Sequence, residues 1–190
     1  MSATRQTGSR LDPPWVDEVL RYWFADVGPE RWFASGADLD AEIHGRFLVL
    51  HRQIASSQEQ GATPRTLLAA VIVLDQFSRH LFRHTAQAYA ADAAARRLAT
   101  TAIERGFDAD MNDAERMFLY MPFQHSENAA DQELSVRLFT SLGNEDWLHY
   151  AVAHKALIDR FGRFPHRNAT LDRQSTAEET AMLNDPMGAF

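Results

Sequence analysis

The chain has 190 residues, a net charge of −7 and no cysteine. At about 150 residues per domain this predicts one domain, long enough to bury roughly 70% of the surface its unfolded chain exposes. The missing cysteine excludes disulfides, zinc–thiolate centres and thiol nucleophiles and suits a reducing cytoplasm, and the acidic balance argues against a nucleic-acid binder, which needs a basic surface.

Residues 1–12 are small and polar, lack the apolar stretch of a secretory signal, and read as a disordered lead-in. A single folded unit is expected over 13–183, with a tail at 184–190. Pro13 and Pro14 suit a first helical turn, after which Trp15, Val19, Tyr22 and Trp23 recur at helical spacing up to a Gly28-Pro29 turn. A second helix is predicted from Asp38 to Ser56, with Ile43, Phe47, Leu50 and Ile54 as its apolar stripe. Thr63-Pro64 is a start signal, a capping threonine followed by proline at the first helical position. The helix it opens, through Phe82, contains the longest apolar run, Leu67 to Leu74, far short of the ~20 residues that span a bilayer.

Residues 87–105 are alanine-rich and predict a closely packed helix ended by Gly106. Asp113 to Tyr120 reads as a helix stopped by Pro122, because proline disfavours helical geometry in the residue before it. Ser126 is placed to cap a helix to Leu142, and Gly143-Asn144 separates it from one over 145–161. Thr176-Ala177-Glu178-Glu179 has capping-box spacing and opens the last. The reading is all-α: about eight helices in antiparallel hairpins joined by short turns, with no sequence repeat to indicate a solenoid.

The informative residues are ionisable groups among apolar neighbours. On the 63–82 helix, Asp75 lies within about 60° of Leu68, Val71, Ile72, Arg79 and Phe82, so Asp75 and Arg79 are expected to pair on the buried face. On the 126–142 helix, Glu127 and Asp131 share a face with Leu134, Leu138 and Leu142, and on the last long helix His154 falls among Trp147, Tyr150, Ala151, Leu157, Ile158 and Phe161, which predicts that it is largely buried. Two loops join this set: Pro122-Phe123-Gln124-His125-Ser126-Glu127, and Arg160-Phe161-Gly162-Arg163-Phe164-Pro165-His166-Arg167-Asn168, a basic island in an acidic chain. His80 and His84 have metal-ligand spacing without a carboxylate to complete the set and read as surface, and His44 and His51, seven apart on one helix face, read as surface or partial core. Neither a P-loop, a G-x-G-x-x-G nor a G-x-S-x-G motif occurs, and no organic cofactor or metal is expected.

Leu74-Asp75-Gln76-Phe77 and the two loop motifs together resemble the domain of unknown function family 924, over Trp15 to Leu183. The resemblance implies an all-α fold similar to tetratricopeptide-repeat proteins and brings no established reaction. It matches at Asp75, Gln76, Arg79, His125, Ser126, Glu127, Asp131, Arg163, His166, Arg167 and Asn168. It departs at Ser78, where the family usually has proline, at His80, where asparagine is common, and at Asp172, where glycine is usual before Arg173.

Two functions follow as expectations. In the first, a small carboxylate-bearing metabolite binds a pocket in which His125, Glu127 and Asp131 perform acid–base chemistry. Asp75, Gln76, Arg79, Arg163, His166, Arg167 and Asn168 line it, Arg163 and Arg167 clamping the substrate. In the second, three acids (Asp75, Glu127, Asp131) neutralise three arginines (Arg79, Arg163, Arg167) in a structural network on a protein-interaction scaffold. Nucleic acid and membrane are not expected partners, and a cytoplasmic location is.

Overall fold

The computed structural model describes residues 12–34, 36–57 and 63–185, and among these it contains eight helices and no strand. Helix α1, Pro14–Arg21, widens into a π-helical turn, Tyr22–Val27, and stops at Gly28, whose φ of +69° favours glycine. Helix α2 is Ala37–Ser56. Helix α3 runs Pro64–Ile72, passes through a π-helical turn at Val73–Phe77 and ends as Ser78–Leu81. Its start is fixed as expected, the Thr63 hydroxyl accepting the Thr66 N–H at 3.1 Å. Helix α4 comprises Gln87–Ala90 and Asp92–Glu104, interrupted at Ala91. Then come α5 (Asp113–Gln124), α6 (Ala129–Leu142), α7 (Glu145–Phe161), a 3-10 turn (Pro165–Arg167) and α8 (Ala177–Leu183).

Helix α3 is the axis of the molecule. It is buried on every side from Leu67 to Ser78, as a helix apolar all round must be. Helices α1 and α2 pack against it, and so do α4 and α5. Alanines make the approach of α4 close, with Ala95, Ala99 and Ala102 fully buried. Aromatic edges fill the α1 contact: the Trp23 ring lies 5.5 Å from Phe77 and 5.4 Å from Phe118, near perpendicular to both. Helices α5, α6 and α7 follow as two consecutive hairpins and place the far end of α5 beside α7.

Several expectations are corrected. Pro122 does not stop α5, which runs to Gln124; the His125 N–H still reaches the Met121 carbonyl at 2.9 Å, and burial of Met117 to Gln124 outweighs the one ladder bond proline removes. Asn128, not Ser126, caps α6, leaving Glu127 in the preceding loop. The deeply buried face of α6 is Gln132, Ser135 and Phe139, with the predicted leucines half-buried beside it. His80 is buried, not solvated: its Nδ1–H donates to Asp40 at 2.7 Å, and Arg83 grips the same carboxylate with two N–H groups. His51 is buried too, bonded to the Ser78 hydroxyl at 2.7 Å, while Ser78 itself donates to the Leu74 carbonyl. Asp172 adopts the unusual turn its position demands, with φ +52°. Of the lead-in and tail, residues 1–11 and 186–190 lie outside the described residues, whereas Asp12 is held in place by Thr63, Thr66 and Arg65.

Candidate functional site

The site forms where the π-helical turn of α3, the end of α5, the start of α4 and the loop after α7 meet. The turn at Val73–Phe77 adds a residue to the helical repeat and carries Asp75 and Gln76 on its buried surface. Asp75 is wholly buried. His125, the residue just past α5, brings its Nδ1 to 2.8 and 3.0 Å from the two Asp75 oxygens, and the Gln76 amide donates to the same carboxylate at 2.6 Å. Arg79 lies 3.6 Å away, the expected pairing one turn along. Burial would raise the Asp75 pKa, but His125, Arg79 and Gln76 outweigh it and hold the carboxyl well below the usual carboxylate range. An ionised acceptor makes Nδ1 the donor nitrogen of His125 and leaves Nε2, which has no hydrogen bond among the described residues, as its basic atom. The carboxylate that orients His125 is therefore Asp75 and not Glu127.

Arg79 also donates to Asp92 at 2.7 Å and to the Ala88 carbonyl. Arg167 shares Asp92 from the other side at 3.5 Å, its one side-chain hydrogen bond among the described residues. Its side chain is 8% exposed, its Nε has no partner, and its guanidinium lies over the rings of Tyr89 (4.5 Å) and Phe164 (4.6 Å). Burial and then the charge of Arg79 depress its pKa. Around the same Phe164 ring stand His154 (5.5 Å) and His166 (5.5 Å), with His154 also 6.1 Å from His125. His154 is half-buried, and desolvation with His125 adding to it brings it down to about 3; His166 is exposed, and desolvation against Phe164, then Arg167 and His125, lowers it as well. Both are neutral imidazoles at neutral pH, His154 giving its Nδ1–H to the Tyr150 carbonyl at 2.8 Å.

The remaining predicted residues are engaged with protein. Glu127 accepts the Phe164 N–H at 2.8 Å and both Arg173 amino groups at 2.7 and 3.0 Å, while Arg173 also donates to the Phe164 carbonyl. Burial would raise its pKa, and Arg173 with the Phe164 N–H reverses the shift. Arg163 forms a two-pronged pair with Glu179 at 2.6 and 2.8 Å, so it does not share a partner with Arg167. Asn168 donates to Ser175 and Glu179. Asp131 accepts from Ser126 at 2.6 Å and pairs with Arg96 at 3.0 Å, without a hydrogen bond to His125.

Sequence reasoning missed Tyr89, Asp92, Arg173 and the second role of Glu179, which caps α8 and holds Arg163 at once. A signal for the first two was present: between 86 and 95 only Gln87, Tyr89 and Asp92 are not alanine, and the latter two are three apart on one helix face. Among the described residues no group of three His, Asp or Glu side chains is placed to hold a metal ion, and no helix is long and apolar enough to cross a membrane. A cavity of about 700 Å³ lies elsewhere, lined by Phe24, Trp32, Arg65 and Glu115 among others and by none of the candidate residues.

Comparison with known proteins places the chain by kinship. A solved structure of a protein of unknown function from Agrobacterium tumefaciens is 38% identical, with a TM-score of 0.85, over 90% of this chain and 97% of that one. No curated protein matches. The family model described as bacterial protein of unknown function (DUF924) matches residues 19–187, and the chain belongs to that family.

Proposed function

We propose that this protein binds a small carboxylate-bearing molecule beside His125 and Arg167 and exchanges a proton with it through His125 Nε2. The observation that carries the reading is the buried Asp75 carboxylate on His125 Nδ1: it fixes the ring's tautomer and orientation and leaves the opposite nitrogen for a ligand, the arrangement of an oriented general base. Arg167 supplies the anchor, since a buried guanidinium with one long hydrogen bond has donors to offer an anion. Glu127 and Asp131, read from the sequence as catalytic, serve this site as positioning residues, Glu127 by holding the backbone of Phe164 at both its N–H and, through Arg173, its carbonyl. The reading includes a cytoplasmic setting, which suits a chain without cysteine, and a small anionic metabolite rather than nucleic acid or membrane as partner.

The second reading is a tetratricopeptide-repeat-like scaffold for a protein partner, in which the charges are purely structural; the two-pronged pairing of Arg163 with Glu179 and of Glu127 with Arg173 favours it. Thermal unfolding against a panel of small carboxylates separates the two. A bound carboxylate at ten times its Kd stabilises the fold by about 1.4 kcal/mol, and His125→Gln and Arg167→Lys should each remove that gain. A panel with no stabilising member, or one whose gain survives both substitutions, supports the scaffold.

A further inference from the structure

Resting on that reading, we infer that the ligand is a singly charged carboxylate, bound in the plane of the Arg167 guanidinium and accompanied by one proton on His125. Tyr89 and Asp92, on the two segments of α4, set this preference.

The first support is shape. Aromatic faces cover Arg167 at 4.5 Å (Tyr89) and 4.6 Å (Phe164), so an anion reaches it along the edges of its N–H fork. The NH1 edge is turned to Asp92, and Nε lies on an edge that makes no protein hydrogen bond. Two donors in one plane match the two oxygens of a carboxylate, which is itself planar.

The second support is a charge count over everything that faces His125. Helix α3 contributes Asp75 and Arg79, α4 contributes Asp92, α7 contributes His154, and the following loop contributes His166 and Arg167. Two guanidinium groups balance two carboxylates, Glu127 is balanced by Arg173, and the neighbouring imidazoles are neutral, with pKa values of about 3 and about 4. His125 presents its Nε2 to these groups, Nδ1 being bonded to both Asp75 oxygens. One added negative charge is met by one proton taken from solvent onto Nε2, where it faces the ligand because Nδ1 is committed to Asp75. A doubly charged oxyanion would bring one charge that nothing balances, next to Asp75 and Asp92.

Calorimetric titration with sodium benzoate, sodium acetate and inorganic phosphate, in two buffers of different ionisation heat at pH 8, tests this. The expected result is uptake of close to one proton per carboxylate bound, with phosphate about tenfold weaker or worse. Arg167→Lys should weaken benzoate about tenfold, and Asp92→Asn, by removing one negative charge, should narrow the gap between benzoate and phosphate to about threefold or less. Arg163→Lys should bind as the parent does. Phosphate binding as tightly as the carboxylates, or carboxylate binding with no proton uptake, overturns this inference and leaves the site reading standing. Failure of all three anions to bind, or binding indifferent to Arg167→Lys, overturns both.

Discussion

Two sets of charges flank Phe164, and they differ in how fully they are paired. On one side Glu127 with Arg173 and Glu179 with Arg163 are paired through both carboxylate oxygens, with further bonds to backbone, and Arg173 Nε is left buried without a partner. On the other, Asp92 divides itself between two arginines, Arg79 reaches Asp75 only at 3.6 Å, and Arg167 is buried with most of its fork unpaired. The contrast is one of degree: two-pronged pairs hold a loop in place, and a guanidinium with a single long side-chain bond keeps more donors over.

Substitutions can break that division or sharpen it. The largest effect is expected for Phe164→Ala, which empties the ring shared by both sides; denaturant unfolding should show a loss of about 3–5 kcal/mol, with ligand binding lost as well. Next comes Glu127→Ala, which leaves Arg173 and the Phe164 N–H unmatched in a half-buried setting. It should cost about 2 kcal/mol, and a change under a few tenths would mean that the Glu127–Arg173 pair is not structural.

The histidines give a smaller effect with a defined sign. Their folded pKa values, about 3 for His154 and about 4 for His166, lie below the unfolded value of about 6.5. Between these limits the unfolded chain takes up protons the folded one refuses, so stability present above pH 6.5 is lost as pH falls. For His154 the slope approaches about 1.4 kcal/mol per pH unit, and His154→Gln should flatten it in unfolding curves taken from pH 6.5 to 4.5. An unchanged slope would place the proton-linked group elsewhere. The smallest effect belongs to Arg163→Lys, which should lower the melting temperature slightly and leave anion binding alone; loss of binding there would erase the distinction between the two sides.

Much of this was legible in the chain because turns and caps are local. Thr63, Gly28, Gly106, Gly143 and the Thr176–Glu179 box act within a few residues of themselves, and the helices begin and end near them. Asp75 and Arg79 were also readable, being one turn apart on an apolar helix. Who pairs with whom was not. His125 takes Asp75 and not its near neighbour Glu127, because α5 continues through Pro122 and delivers the histidine to the α3 side, while Glu127 is left in the loop facing Phe164. Arg163 and Arg167 look like one clamp in sequence, but the 3-10 turn at Pro165–Arg167 sends one to Glu179 and the other to Asp92. The buried His80 and His51 likewise depend on partners 40 and 27 residues away.

Ring nitrogen shifts of His125, read by NMR at pH 8 with and without benzoate, test the account most directly. The Nδ1–H tautomer is expected in the unliganded protein, with its loss in Asp75→Asn and protonation of Nε2 when benzoate binds. An Nε2–H tautomer, indifferent to both Asp75→Asn and benzoate, would contradict it.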